Sequence, residues 1–258
     1  MARIPKRVAD RFVREVPKFQ EVLRNASNRD VNEADTVTIV ADILSRVFGF
    51  DKYTEVTKEF AIRRSYCDLA VTTDEKVQYL IEVKAIGMEL RENHLRQAID
   101  YGANHGIEWV VLTNGIAWEV HAVRFKRPIG HELVCAFDLL ELDPSQEDSQ
   151  QKLFLLTKKG LSKAAIEEFH EHVQIVNRFV IGAIVLSDTV VAAVRRELRK
   201  TSDGLRVDKE EIETLLRNEV LKRDVVEGEA ASEATERVKK GVAKARRKSA
   251  AKRADDAV

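Results

Sequence analysis

The sequence predicts a mixed α/β (α+β) domain followed by a small helical module and a charged tail. Short β-like apolar runs lie between segments of helical spacing in residues 1–145. From residue 146 to residue 228 the periodic segments are all helical in spacing, and residues 229–258 carry many charges but few apolar side chains. Changes of this kind in the apolar period are the main signal for the class of structure, so we divide the chain at these positions.

The composition supports a folded protein and excludes several classes. Of the 258 residues, 44% are hydrophobic and 33% are charged, and the 43 basic and 43 acidic residues balance. That apolar content is enough for a core and too high for a wholly disordered chain. Two cysteines build neither a disulfide framework nor a zinc site. We find no apolar run long enough to cross a membrane and no signal peptide, so we expect a cytoplasmic protein with no membrane partner.

The first predicted elements are a helix and three strands. Apolar residues recur with helical spacing over Glu33–Phe48, with Asn32 as a plausible N-cap and Gly49 as a plausible stop. The alternating runs that follow predict strands at Tyr53–Ile62, Tyr66–Val71 and Val77–Val83. The residues Thr72-Thr73-Asp74-Glu75-Lys76 then form the turn of a hairpin between the last two strands.

A second helix and two further strands complete the predicted domain. Leu90–Gly102 has apolar residues spaced for one helical face. Trp109–Thr113 and Ile116–Val123 are apolar runs joined by Asn114-Gly115, and Asn-Gly between such runs is the strongest short hairpin signal. The predicted order is therefore one helix, three strands, one helix and two strands.

The rest of the chain predicts helices and then a tail that is disordered or loosely helical. Helical periodicity runs through Lys159–Phe179, Ile184–Lys200 and Lys209–Arg223. Between Arg237 and Arg253 nine cations follow one another without an acid. Such a run is usually a solvated surface, but on a nucleic-acid enzyme it would neutralise phosphates. We favour nonspecific nucleic-acid binding by six of these residues: Lys239, Lys240, Lys244, Arg246, Arg247 and Lys248.

Charged residues on the predicted hairpin form the most informative pattern in the sequence. Glu82 and Lys84 are two residues apart in a strand, so their side chains point to the same face. The hairpin turn can bring Asp68 beside Glu82. Charges rarely lie in apolar strands without a partner or a metal ion. An E-x-K triplet alone is very weak evidence, because a cross-strand or surface salt bridge is the better explanation of Glu82 and Lys84 by themselves.

These residue types suit one reaction class. Two adjacent carboxylates repel each other unless a cation joins them, and oxygen ligands suit Mg²⁺ or Mn²⁺. A divalent ion can polarise a phosphodiester and generate hydroxide from bound water, while a lysine orients that water or stabilises the developing charge. The pattern Asp68, Glu82 and Lys84 therefore indicates phosphodiester hydrolysis.

Asp68 followed by Glu82-x-Lys84 resembles the motif of the PD-(D/E)xK nuclease superfamily. Asn32-Glu33-Ala34-Asp35-Thr36 resembles the helix entry in the N-terminal nuclease domain of type I restriction enzyme R subunits. Gln97-Ala98-Ile99-Asp100-Tyr101 resembles the Q-x-x-x-Y helix motif of the same group. Cys67 stands where the superfamily often has a proline. The resemblance covers about half the chain and implies a restriction-endonuclease-like core, a central mixed sheet flanked by helices.

The resemblance also implies a role for each matching residue. Asp68, Glu82 and the carbonyl of Val83 would bind Mg²⁺ or Mn²⁺, and Lys84 would be catalytic. Gln97 would help to position the metal, water or phosphate. Glu33 would be a supporting active-site residue, with an ordinary first-turn carboxylate as the alternative. Tyr101 would hold the substrate strand or the helix, with simple core packing as the alternative.

The sequence departs from complete R subunits in one respect. They carry an ATP-driven motor, whereas we find no G-x-x-x-x-G-K-[ST] phosphate loop and so expect no nucleotide cofactor. We therefore predict a free-standing magnesium-dependent endonuclease that hydrolyses DNA, in a restriction or DNA-processing context. One alternative is a catalytically silent module that binds nucleic acid or a partner on the same fold. Another is an assembly protein whose helical C-terminal part forms a homo-oligomer or binds partner subunits.

Overall fold

The structure is a computed structural model that describes residues 3–62, 65–125, 127–201 and 206–255. Side chains are described for these residues except 59, 61–62, 65–66 and 245–255. Internal contacts divide the chain into a first unit, Met1–Glu171, and a second unit, His172–Val258. Of the helices in the described ranges, none is long and apolar enough to cross a bilayer.

A mixed sheet forms the centre of the first unit and confirms the predicted fold class. In the described part of the chain its strands are β1 (Val56–Ile62), β2 (Ser65–Thr73), β3 (Lys76–Val83), β4 (Trp109–Thr113), β5 (Ala117–Arg124) and β6 (Gly130–Asp138). The strands lie side by side in the order of the sequence. β3 and β4 are parallel, and every other neighbouring pair is antiparallel.

Both predicted hairpins are present, and the first is tighter than predicted. β2 and β3 are joined by Asp74 and Glu75 alone, with φ angles of 50° and 60°. Two consecutive residues with positive φ form the turn whose twist matches the flanking strands. The strands therefore extend into the segment that we assigned to the turn. In the second hairpin Gly115 has a φ of 86°, and the Asn114 side chain accepts hydrogen bonds from the amides of Ile116 and Ala117.

The two predicted helices of this region flank the sheet. α2 (Glu33–Ile43) begins at Asn32, whose side chain accepts a hydrogen bond from the amide of Asp35 at 2.9 Å. A π-helical turn, Leu44–Phe48, extends α2 and ends at Gly49, where φ is 86°. The second predicted helix begins as a 3-10 turn and continues as α3 (Arg96–His105), which connects β3 to β4. A helical crossover of this kind is what a parallel strand pair requires.

The sequence analysis missed a long N-terminal helix, α1 (Lys6–Asn28). Its buried residues lie three or four apart and include Phe12, Val16, Phe19 and Leu23, which belong to the larger of two hydrophobic clusters. Pro17 interrupts the helical pattern, but it lies on the exposed side, where water can bond the carbonyl that loses its partner. Each such apolar side chain contributes about 1.5–3 kcal/mol when buried.

The sixth strand was also missed, and its burial pattern gives the reason. Along β6 buried and exposed residues do not alternate regularly. The register of the β5–β6 pair shifts between Val120 and His121, which is a bulge or irregularity. A bulge changes which side chains face the core, so the period of two that identifies a strand is lost.

The two faces of the sheet bury different clusters. Tyr79, Ile81 and Val83 of β3 belong to the larger cluster, together with residues of α1 and α2. Leu80, between them, belongs to the smaller cluster, together with Ala98 of α3. Because successive strand residues face opposite ways, Glu82 shares the face of Leu80, which α3 covers.

The first unit continues beyond the sheet and past residue 145, where we had placed the domain boundary. Its later helices are α4 (Glu147–Leu155), α5 (Lys158–Leu161) and α6 (Ala165–Ile175), the last of which spans the division between the units. Leu153 and Phe154 of α4 are buried in the larger cluster. These contacts place α4 in the first unit.

The second unit is helical in its described part, as the sequence indicated. It contains α7 (Arg178–Val185), α8 (Asp188–Thr201), α9 (Lys209–Leu215) with a π-helical extension to Val220, α10 (Arg223–Val226) and α11 (Glu229–Asp255). The predicted helix Lys159–Phe179 is interrupted, because Asn177 caps α7 by accepting hydrogen bonds from the amides of Phe179 and Val180. The tail that we expected to be disordered or loosely helical forms α11 in its described residues.

Candidate active site

The candidate site lies where β2 and β3 leave their ladder. The pairing of these strands includes Leu69 opposite Ile81, so Asp68 and Glu82 come next on their respective strands. Both side chains are partly buried, and Lys84 follows directly after the end of β3. The hairpin thus brings together the residues that the sequence pattern had singled out.

Asp68 is fixed by the main chain of β3. Its Oδ2 accepts a hydrogen bond of 2.7 Å from the amide of Val83. In an extended strand the amide and carbonyl of one residue point to the same side. The Val83 carbonyl therefore points toward the same edge as the Asp68 carboxylate.

Lys84 connects two carboxylates from distant parts of the chain. Its Nζ donates to Oε1 of Glu82 at 2.8 Å and to Oε2 of Glu33 at 3.3 Å. The Lys84 and Glu82 side chains are only 14% and 16% exposed. The Lys84 main chain is held as well, because its amide donates to the carbonyl of Thr113 at 2.8 Å.

The position of Glu33 follows from the cap of α2. Asn32 fixes the start of the helix, so the next residue, Glu33, lies in its first turn. A carboxylate there is favoured by the helix dipole, as the alternative interpretation stated. The contact with Lys84 adds a second role, since Glu33 helps to hold the ammonium group beside Glu82.

Burial and an excess of negative charge dominate the electrostatics of this group. Burial is the largest effect on Asp68 and raises its pKa, and the negative charge of Glu33 raises it further. The hydrogen bond from the Val83 amide and the charge of Lys84 lower the pKa, but by less. Burial also raises the pKa of Glu82, with further increases from Asp68 and Glu33. Burial by itself would lower the pKa of Lys84, but the hydrogen bond to Glu82 and the surrounding carboxylates raise it overall.

The two remaining predicted residues lie on α3. Gln97 is an exposed residue in the first turn of that helix. Tyr101, one turn later, packs edge-on against Phe60 with ring centroids 6.0 Å apart and stacks on His105 at 4.0 Å. Tyr101 thus holds α3 against the smaller cluster, and a contact with the substrate strand stays a prediction.

Two supporting residues were missed by the sequence analysis. Thr113 accepts the Lys84 amide through its carbonyl, and the Asn114 side chain donates to the carbonyl of Met88 at 2.9 Å. Both contacts fix the chain segment that follows β3. The Asn-Gly pair was visible in the sequence only as a turn signal, and nothing in that signal indicates what the asparagine amide will bind.

The donor set at the site suits a hard divalent cation. Among the described residues, no group of three or more His, Cys, Asp or Glu side chains is arranged to hold a metal ion. The site offers instead two carboxylates, Asp68 and Glu82, and the main-chain carbonyl of Val83. Oxygen donors in this number leave room for water, which Mg²⁺ retains in proteins. The residues therefore fit the ion that the sequence pattern implied.

The predicted nucleic-acid-binding residues belong to α11 in the second unit. Lys239, Lys240 and Lys244 are exposed, and Lys239 lies 3.5 Å from Glu236. The backbone of Arg246, Arg247 and Lys248 is helical, but their side chains lie outside the described residues. Binding of nucleic acid by this helix stays a prediction.

Comparison with known proteins gives a family match that covers most of the site. Residues 41–134 match the family described as Type I restriction enzyme R protein N terminus. This confirms the predicted resemblance over that segment, which includes Asp68, Glu82 and Lys84 and the Gln97 and Tyr101 positions of α3. Glu33 lies before the matched segment. Searches of the curated proteins and of the solved structures gave no match.

Proposed function

We propose that the first unit is a metal-dependent nuclease that hydrolyses DNA phosphodiester bonds. One observation carries the proposal: at the end of β3 the ammonium group of Lys84 bonds Glu82 and Glu33, and the charge of the nearby Asp68, whose carboxylate bonds the Val83 amide, also acts on it. The match to the R-protein N-terminal family over residues 41–134 supports a nuclease-like, DNA-related function.

The charge balance at the site favours a bound divalent cation. One ammonium group cannot neutralise three carboxylates, and burial makes the remaining charge costly. Asp68, Glu82 and the Val83 carbonyl would hold Mg²⁺ or Mn²⁺. The chemistry supplied by such an ion is polarisation of a phosphodiester and a lower pKa of bound water.

The residues of the chain divide the other tasks. Lys84 keeps its proton at neutral pH, because its pKa is raised, so it donates hydrogen bonds to the attacking water or to the phosphate. Glu33 positions Lys84 through the 3.3 Å contact. Gln97 offers an exposed amide on the helix that covers this face, where it can orient a phosphate oxygen. Tyr101 fixes that helix by packing.

We also propose that α11 contributes nonspecific affinity for DNA. Lys239, Lys240 and Lys244 present exposed cations, and the sequence continues with further basic residues and no acid as far as Arg253. Lysine and arginine side chains that neutralise phosphates give binding that depends strongly on salt but not on sequence. This helix would raise the local DNA concentration near the enzyme.

Cleavage of supercoiled plasmid and of single-stranded DNA tests the nuclease proposal. We expect the purified chain to cut in Mg²⁺ or Mn²⁺, EDTA to stop the reaction, and Asp68→Ala and Lys84→Ala to abolish it. The exposed residues Asp100 and Lys76 supply the matched controls Asp100→Ala and Lys76→Ala, which should cut as the wild type does. A folded wild-type chain that cuts neither substrate would contradict the proposal.

A catalytically silent binding module is the second candidate. The contacts of Lys84 with Glu82 and Glu33 favour it, because they satisfy the lysine as a structural ion-pair network would. Such a module would shift DNA on a gel without cutting it, and Mn²⁺ would not alter the thermal stability of either the wild type or Asp68→Ala. A metal-binding site would instead be stabilised by Mn²⁺, and Asp68→Ala would remove that effect.

A further inference from the structure

A basic cavity lies in the first unit, away from the candidate active site. It has a volume of about 500 Å³, is partly open to solvent, and is lined by Pro5, Arg7, Val8, Arg11, Arg14 and Lys159. Four of these six residues are cationic, and none of the described residues that line it is acidic. A volume of this size is typical of cavities that bind small ligands.

The three arginines share one face of α1. They are spaced four and three residues apart, so successive members lie one turn away from each other. Like charges in this arrangement destabilise a helix. Burial lowers the pKa of Arg11, and the charges of Arg14 and Arg7 lower it further. The cluster therefore carries an electrostatic cost that an anion would remove.

The guanidinium group of Arg11 is held in place but not fully bonded. Its Nη2 donates to the carbonyl of Phe48 at 3.2 Å. Gly49 makes room for it, since a Cβ there would lie 2.3 Å from Nη1. The buried Nε has no hydrogen-bond partner among the described residues. The guanidinium is thus fixed with part of its hydrogen-bonding capacity unmet, and its charge favours an anion beside it.

The other cations are largely available. Arg14 forms an ion pair with Glu15 through its Nε at 2.8 Å. For Arg7 and Lys159 the described part of the chain provides no ion pair, and both are exposed. The cavity therefore keeps a net positive charge larger than one carboxylate could balance.

We propose that this cavity binds a phosphomonoester group, carried either by a small nucleotide-like molecule or by the end of a nucleic-acid strand. Such a group is close to a dianion at neutral pH and presents three oxygens, which suits several arginine donors. A phosphodiester inside a strand carries only one charge and has fewer free oxygens, so it uses fewer of these cations.

The cavity is separate from the candidate active site. Arg11 contacts Phe48 at the end of the helical segment that begins with Glu33. At 1.5 Å per residue that segment is about 22 Å long. The cavity-lining residues also lie outside the matched segment 41–134, so the family comparison does not cover them. The proposal does not depend on nuclease activity.

Calorimetric titration of the full chain tests the proposal with three kinds of probe. These are inorganic phosphate, adenosine monophosphate, and a short DNA strand with either a 5′-phosphate or a 5′-hydroxyl end. EDTA is present throughout, so that the candidate active site cannot contribute through a metal. We expect adenosine monophosphate or the 5′-phosphorylated strand to bind, and whichever binds more tightly identifies the source of the group.

A pair of double variants supplies the control. Arg7→Gln with Lys159→Gln removes the two exposed cations of the cavity and should weaken binding by about tenfold or more, because charge-assisted hydrogen bonds are lost. Arg24→Gln with Lys76→Gln removes the same charges from exposed positions elsewhere in the first unit and should leave binding unchanged. Three results would overturn the proposal: no binding of any phosphomonoester, equal weakening in both double variants, or equal binding of the two strand ends without binding of the free nucleotide.

Discussion

Two buried glutamates of the first unit have opposite surroundings. Glu15 on α1 accepts hydrogen bonds from Arg14 at 2.8 Å, Lys18 at 3.2 Å and Arg46 at 2.8 Å. Glu82 on β3 has one cationic partner, Lys84, which it shares with Glu33. Their side chains are similarly buried, at 9% and 16% exposed.

The opposite surroundings shift the two carboxyl groups in opposite directions. The hydrogen bond from Arg14, with those from Lys18 and Arg46, lowers the pKa of Glu15 to about 2 against the effect of burial. Burial and neighbouring carboxylates raise the pKa of Glu82. The comparison teaches that burial raises the pKa of a carboxyl group unless enough cations bond it, as they do at Glu15, and that these cations let a buried charge stabilise the fold. An uncompensated carboxylate is more typical of a functional site.

The largest expected difference between the two glutamates is in catalysis. Glu82→Gln removes an anionic ligand at the candidate metal site, so we expect DNA cleavage to fall by about two orders of magnitude or more. Glu15→Gln should leave the rate per folded molecule unchanged. The measurement is the initial rate of plasmid cleavage in Mg²⁺ for both variants at a temperature where both are folded. Equal losses in the two variants would contradict the division of roles.

The next largest expected effect is on stability, where Glu15→Gln should cost more than Glu82→Gln. Glu15→Gln leaves three cations without their counter-charge. Since those cations are more than half exposed and regain water, we expect a loss of about 1–2 kcal/mol in the free energy of unfolding. Glu82→Gln should not destabilise the protein in the absence of metal, because it removes a repelling charge. Urea unfolding of both variants in EDTA measures the two changes, and a more stable Glu15→Gln variant would refute the argument.

The smallest effect is the pH dependence of these stability differences. A carboxylate whose folded pKa is lowered stabilises the protein above its unfolded pKa, so the contribution of Glu15 should disappear as the pH falls from about 4.5 toward 2. A carboxylate whose folded pKa is raised has the opposite sign, so the wild type should lose stability relative to Glu82→Gln as the pH rises above 4.5. Unfolding curves of wild type and both variants across this range provide the test. If the stability of the wild type relative to Glu15→Gln and relative to Glu82→Gln changed in the same direction with pH, the argument would be refuted.

Local signals explain how much of the fold and site could be predicted from the sequence. Asn32, Gly49 and the Asn114-Gly115 pair each act through their own backbone and neighbours, so the elements that they delimit were predicted well. The proximity of Asp68 and Glu82 follows from hairpin geometry alone, because the turn is local and the side chains alternate. These residues needed no knowledge of the tertiary structure.

Other features depend on contacts that no local pattern contains. The Glu33–Lys84 contact joins the start of α2 to the end of β3, and only the resemblance to R subunits suggested it. The cation cluster around Glu15 includes Arg46, from beyond α2, and was not predicted. β6 was missed because its irregular register hides the strand period, whereas the apolar spacing of α1 was visible and was overlooked.

The packing of α1 has a consequence for the R-protein-like segment itself. Phe12, Val16, Phe19 and Leu23 cover one side of the sheet, and α4 adds Leu153 and Phe154 to the same cluster. A fragment trimmed to the matched residues 41–134 would lose both helices and expose a wide apolar face to water. During synthesis α1 emerges first but finds part of its packing surface only after α4 has been made. The R-protein-like segment thus needs sequence from both ends of the first unit to cover its apolar face.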